Sequence, residues 1–266
     1  MDQAQATTDQ AETGRDWARL ATRGAIALGL GAVAVAAIAS IGSGQGAWHF
    51  RHGFTVLRYA FYAALAGVLL GLVGLALARR GRKTSLMLAN LAAIVVALGF
   101  ILYVGNLVRT AKAVPAIHDA STNLDDMPQF SALKVREDNL ESVPDDGRRE
   151  LAAMLPEARW KAIHREAYGD LRTVQLAAAV PDVIRKAERL VKARGWEIAK
   201  VDTAAGMLEA TATSTFYRFK DDVVVRARPA PGGGSLVDMR SISRVGGSDV
   251  GMNAKRVHEF LGDLKG

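Results

Sequence analysis

The chain has 266 residues, half of them apolar and only 6% aromatic, with 23% charged residues and a formal net charge of +7. That length exceeds one typical soluble domain, and so many apolar residues beside so many charges imply segregation along the chain, which excludes a disordered or fibrous protein. With no cysteine in the sequence, a disulfide framework, a zinc–thiolate centre and a cysteine nucleophile are excluded as well.

Three long uncharged runs fill the first half, from Gly24 to about Trp48, from Tyr59 to Ala78 and from Thr84 to Val108. Each reaches the roughly 20 residues that a helix needs to cross about 30 Å of hydrocarbon. A backbone in lipid must satisfy its own hydrogen bonds, so three spanning helices are expected. The first run is too long for the apolar core of a cleaved signal peptide, although Ala37-Ile38-Ala39-Ser40 faintly resembles a cleavage site. The organisation this implies is a cytoplasmic tail over 1–19, a three-helix membrane region over 20–112 and an extramembrane domain over 113–266.

The cations set the orientation. Arg79-Arg80-Gly81-Arg82-Lys83 links the second and third spans, and Arg15, Arg19 and Arg23 precede the first. Fewer flank the other side: Arg51, Arg58, Arg109 and Lys112. The amino terminus is therefore expected in the cytoplasm and the region after Lys112 outside, in the periplasm if the membrane is a bacterial inner one. Charges placed at span ends need no nucleic acid to explain them, and none is expected as a partner. Within the spans, Gly67 with Gly71 and Ala27 with Gly31 are small-residue steps for helix packing. Asn90 and Asn106 are expected to bond neighbouring helices. No Asp or Glu lies mid-span, so the bundle reads as an anchor and not as a transport path.

Val114-Pro115 ends the third helix. Residues 117–128 are turn-rich and acidic and read as an ordered loop or a partner-tethered linker. A helical pattern over 147–168, broken by Pro156, offers Leu151, Met154, Leu155, Trp160 and Ile163 as apolar contacts. Then follow a strand over 171–176 and a helix opened by Pro181 with Val183, Ile184, Ala187, Leu190 and Val191 on one face. Arg194-Gly195 stops that helix. Strands are expected over 196–201, 207–219, 222–228 and 235–245, the last two joined by Gly232-Gly233-Gly234, and a final helix over 249–264 packs Val257, Phe260, Leu261 and Leu264 inward. The fold class is α+β: three transmembrane helices, then a mainly antiparallel sheet with helices on one face.

Several of these segments carry a resemblance. Gly195-Trp196-Glu197-Ile198, the run from Phe216 to Arg226 and the run from Val237 to Arg256 resemble the DUF1499 family. Ile117-His118-Asp119 with Pro128 and Phe130 resembles its opening segment, so the likeness covers about 115–264. Where the family has Tyr-Pro-Asp-Ile, this chain has Tyr168-Gly169-Asp170-Leu171. The family is of unknown function, so the resemblance implies a domain, often joined to membrane spans, and no reaction.

Among polar residues, strand alternation puts Asp238, Arg240 and Arg244 on one face opposite Val237, Met239, Ser241 and Ser243, with Arg226 and Arg228 sharing a face on the preceding strand. These arginines suit an anion, or else pair with Asp221, Asp222, Asp238 and Glu209. The turn Gly246-Gly247-Ser248-Asp249-Val250-Gly251 follows a strand and opens a helix, where free amides attract anions, but it lacks the Lys-Ser/Thr of a nucleotide loop. Ser248 or Asp249 is an alternative cap for that helix. The expected ligand set is Arg240, Arg244, Ser248, Asp249, Asn253 and Arg256, with His118, Asp119 and Arg226 accessory. The ligand would be an anionic small molecule or a lipid headgroup. No metal, cofactor or catalytic residue is assigned, and His164 and His258 are expected to face solvent. The functional expectation is thus an envelope-facing binding module, the alternative being a hydrolase that uses the His118/Asp119 loop against the Arg240–Arg256 motif.

Overall fold

A computed structural model describes residues 2–141 and 143–266, with side chains from residue 17 onward. The side chain of Arg15, counted above among the orienting cations, lies outside the described residues. The chain divides into two compact units, Met1–Arg109 with Phe216–Arg218, and Thr110–Thr215 with Phe219–Gly266.

The first unit holds α1 (Asp2–Gly44), α2 (Phe50–Arg80) and α3 (Thr84–Lys112). Over Trp17–Gly44, Phe50–Arg80 and Thr84–Lys112 these are long and apolar enough to cross a membrane. The first span ends four residues before Trp48, whose indole Nε1 donates back to the Ala39 carbonyl across the turn. Small residues let the helices approach closely. Ala25, Gly29, Ala32 and Ala36 of α1 face Ala60, Ala64, Gly67 and Gly71 of α2, and a Cβ on Gly67 would lie 2.8 Å from the Gly29 nitrogen. Gly67 and Gly71 thus pack within the chain. The step Ala27/Gly31 does not contribute: Ala27 is exposed and nothing lies within 4 Å of a Cβ on Gly31, because the packing stripe of α1 runs along the adjacent positions. Asn90 bonds a neighbouring helix as expected, its Nδ2 donating to Thr22 Oγ1 at 2.8 Å. Asn106 instead accepts from Arg109 on its own helix and is exposed.

The second unit is built on one antiparallel sheet of six strands: β1 (Asp119–Ser121), β2 (Val174–Leu176), β3 (Glu197–Asp202), β4 (Met207–Thr213), β5 (Lys220–Pro229) and β6 (Ser235–Ser243). Their order is β1-β6-β5-β4-β3, and β2 also pairs with β6, at the end away from β1. Four helices accompany it: α4 (Arg149–Ala152), α5 (Pro156–Ala167), α6 (Val180–Ala193) and α7 (Met252–Lys265). The two halves of the 147–168 pattern break at Pro156, as its missing amide requires. Leu155 caps α5 in extended backbone and is 79% exposed, and Met154 is exposed too, so neither is the apolar contact expected.

Helices α6 and α7 cover one face of the sheet. Val183, Ile184, Ala187 and Val191 of α6 and Val257, Phe260, Leu261 and Leu264 of α7 pack on Leu208, Val223, Val225, Val237 and Met239. The tight β5–β6 hairpin needs its glycines. Gly232, Gly233 and Gly234 all have positive φ, and a Cβ on Gly234 would strike the Leu176 carbonyl.

The strands expected over 171–176 and 235–245 are shorter, Val174–Leu176 and Ser235–Ser243, and two larger differences stand beside them. The segment 207–219 is a strand only to Thr213, where the β4–β5 connection begins. β1 lies within the stretch read as loop. Three residues carry too little period-2 signal to stand out, and their partners on β6 are some 120 residues away.

Candidate functional site

The sheet face opposite α6 and α7 is polar and nonetheless buried. Glu209, Thr211, Asp222, Asp238 and Arg240 project from it and Asp119 joins them from β1, all under 5% exposed. Segment 122–141 lies over this face and is tied down through the charges. Burial of a charge without partners costs several kcal/mol, so the partners decide what the face can do.

Arg240 grips Asp119 with two parallel bonds, Nε to Oδ1 at 3.0 Å and Nη2 to Oδ2 at 2.6 Å. Such a fork is strong and directional. The same Oδ2 accepts from Asn139 Nδ2 at 2.8 Å, and Asn139 Oδ1 accepts from His118 Nε2 at 3.1 Å. His118 is buried, and its Nδ1 is 3.4 Å from the Gly247 carbonyl. His118 and Asp119 therefore do meet the Arg240 motif, but as members of one chain of hydrogen bonds in which Asn139 stands between them.

Arg256 lies on the helix side of the sheet and donates to Asp221 Oδ2 at 2.6 Å and to Ser241 Oγ at 2.9 Å. Asn253 staples α7 to the sheet, its Nδ2 donating both to the His118 carbonyl and to Ser243 Oγ, at 2.9 Å each. Arg244 forks onto Asp222, with both bonds at 2.8 Å. Arg226 and Arg228 share Asp238 Oδ2 at 2.9 and 2.8 Å and also hold the exposed Asp126. That contact, chiefly the Arg226 hydrogen bond, holds the Asp126 carboxyl below its ordinary range.

Glu209 pairs with no arginine. Its carboxylate accepts from the Ser131 hydroxyl and from the consecutive amides of Ser131, Ala132 and Leu133, at 2.5 to 3.2 Å. Burial alone would raise its pKa, but these donors outweigh burial and hold it low.

The turn before α7 carries an anion of its own. Asp249 accepts from the Gly251 amide at 2.9 Å and from the Asn253 amide at 2.6 Å, and Ser248 Oγ accepts from the Val250 amide. Burial raises the Asp249 carboxyl above its ordinary value in spite of those amides. The amides expected to await a ligand are occupied by Asp249, while the cap position of α7 itself falls to Gly251 in left-handed backbone and not to Ser248 or Asp249.

A feature not expected from sequence lies beyond the edge of β1. The outward carbonyl of Asp119 accepts from Trp160 Nε1 at 3.1 Å, and the outward amide of Ser121 donates to His164 Nε2 at 3.1 Å. Two side chains one turn apart on α5 thus stand in for a neighbouring strand. His164 is consequently 1% exposed rather than facing solvent, and burial pushes its pKa down to about 4. His258 is exposed as expected. Beside His164, a depression of about 550 Å³ is lined by Thr122–Asp125 on one wall and by His164, Arg165, Tyr168, Gly169 and Leu171–Thr173 on the other. Among the described residues no cluster of three or more His, Asp or Glu side chains is placed to hold a metal ion.

Sequence reasoning missed Asn139, His164 and the amides around Glu209. Only Glu209, the one charged residue in a strand otherwise of apolar residues and threonines, carries a signal that points inward. A family described as a protein of unknown function, DUF1499, matches residues 119–264. No curated protein matches the chain.

Proposed function

This chain belongs to the DUF1499 family, and we propose that it is a membrane-anchored binding module whose α+β domain faces the cell envelope of a bacterium and takes an anionic small molecule or lipid headgroup. In this reading the three apolar helices sit in the inner membrane. The basic link Arg79-Arg80-Gly81-Arg82-Lys83 holds the second and third spans with the amino terminus in the cytoplasm.

One observation carries the choice of a module over an enzyme. Arg240, Arg244 and Arg256 are each neutralised by an internal carboxylate, Asp119, Asp222 and Asp221. A hydrolase built on the His118/Asp119 loop needs a nucleophile and a base within reach of substrate. Instead, His118 and Asp119 are buried, with their polar atoms engaged by Asn139, Arg240 and the Gly247 carbonyl. The charged motif supplies a rigid frame, and recognition falls to surfaces that the frame leaves open.

Three experiments test this. A reporter enzyme that works only outside the cytoplasm, fused after Gly266, is expected to be active, and activity of a cytosol-only reporter at the same position overturns the orientation. Native mass spectrometry of the full chain released from lipid is expected to show an anionic species retained on the protein. Hydrolytic turnover of ester substrates that is abolished by His118→Ala would overturn the module reading in favour of the hydrolase.

A further inference from the structure

The depression beside Thr122–Asp125 is lined by His164 and Tyr168, and each brings a buried polar atom that has no hydrogen-bond partner, as do Arg194, Arg226 and Arg228 elsewhere in the domain. Of the two in the depression, His164 is the one whose hydrogen can be placed. His164 Nε2 accepts from the Ser121 amide, so Nε2 carries no proton and the neutral ring carries its hydrogen on Nδ1. That Nδ1 is buried and has no hydrogen-bond partner. An unmatched buried donor costs about 1–3 kcal/mol, and the ring cannot rotate to relieve it without breaking the bond that covers the edge of β1. Trp160 and Tyr168 pack against it at ring-centroid distances of 5.3 and 5.5 Å and hold it in place.

The surroundings specify what fits. The donor calls for an oxygen acceptor, and a cation is excluded at an N–H. Thr122 and Thr173, which also line the depression, both donate their hydroxyls to Asp238 and so have no proton to offer. Arg165 and Arg172 supply positive charge. Arg165 is held only by Asp125, in a pair 55% and 84% exposed, which is worth at most about 1 kcal/mol and gives way readily. Arg172 uses its Nε–H on the Gly169 carbonyl, leaving its other donors free for an anion. Asp125 is the lone acid in the lining.

We infer that this depression is an anion site, in which His164 Nδ1–H donates to an oxygen of a phosphate group while Arg165, released from Asp125, and Arg172 neutralise its charge. The inference rests on the binding-module reading and moves the ligand away from the Arg240–Arg256 motif. A volume of about 550 Å³ accommodates a phosphate together with the small organic group that bears it. Free phosphate and a phospholipid headgroup present the same oxygens, so experiment must separate them.

The test uses the full chain, labelled with ¹⁵N-histidine, in nanodiscs of phosphatidylcholine, titrated with inorganic phosphate, and a parallel sample in nanodiscs of phosphatidylglycerol. The His164 ring resonance is identified by its loss in His164→Phe. A shift on adding phosphate supports a soluble phosphate ligand, and a shift only in phosphatidylglycerol supports the headgroup of an anionic lipid. In either case the double variant Arg165→Ala/Arg172→Ala, altered only at exposed side chains, is expected to weaken the effect by about tenfold or more. Absence of any shift in both samples overturns the site, and so does a shift that persists unchanged in the double variant. A species retained in native mass spectrometry while His164 stays silent would remove this site and leave the module reading standing.

Discussion

The two faces of the sheet bury side chains to the same depth by opposite means. Towards α6 and α7 the strands present Leu208, Val223, Val225, Val237 and Met239, and contact with apolar helices suffices. Towards segment 122–141 they present Glu209, Asp222, Asp238 and Arg240, and each needs a particular partner. An apolar face tolerates substitutions of similar volume, whereas a charged one fails when a single partner is removed. Segment 122–141 forms no regular helix of its own and lies where it does because carboxylates and arginines hold it.

The largest effect expected from breaking this contrast is at the Asp119–Arg240 fork. Asp119→Ala leaves a buried guanidinium uncompensated and should cost about 3–5 kcal/mol, read as a lowered urea midpoint of the full chain in detergent. Val225→Ala on the opposite face should cost less, about 1–2 kcal/mol for the two methyl groups removed. If the two losses prove equal, the polar face is no more partner-dependent than the apolar one.

Next comes acid sensitivity. The folded pKa of His164, about 4, lies below its ordinary value of 6.5, so the unfolded chain binds the extra proton first. This contribution is fully present above pH 6.5 and is lost as pH falls from there towards 4, about 3 kcal/mol at the acid end. His164→Phe should flatten that part of the stability curve, and an unchanged slope would show that another group titrates.

Glu209→Gln removes the charge that holds Ser131, Ala132 and Leu133 and should cost about 1–3 kcal/mol. The accompanying sign is faster proteolysis of segment 122–141 with the helix-covered face intact. The smallest effect is expected in the first unit, where charge plays little part. Asn90→Leu removes its bond to Thr22 and should weaken the bundle by about 0.6–1 kcal/mol in a detergent or steric-trap measurement.

The apolar half of this account is plain in the sequence. Span positions follow from uncharged runs, and α6 and α7 follow from the spacing of Val183, Ile184 and Ala187 and of Val257, Phe260 and Leu264. Alternation along β6 separates Arg240 from Met239 correctly. The polar half is far less legible, because its partners come from distant segments with no period: Asn139 lies 20 residues from Asp119, and Ser131 lies 78 from Glu209. A histidine at a helical spacing gives no sign that it will cover the edge of a three-residue strand. Arginines in a strand likewise look the same whether they await a ligand or already hold an aspartate.

The claim at the centre of this account is that the Asp119–Arg240 pair belongs to the frame and not to the ligand. Replacing both residues at once, Asp119→Leu with Arg240→Met, keeps the volume roughly constant and removes both charges together, a change that buried pairs often tolerate. Native mass spectrometry of this variant beside the unaltered chain puts the claim to the test. A folded variant that retains the same bound mass is the predicted result. A variant that folds equally well and has lost that mass would contradict it, and would return the ligand to the arginines of β6.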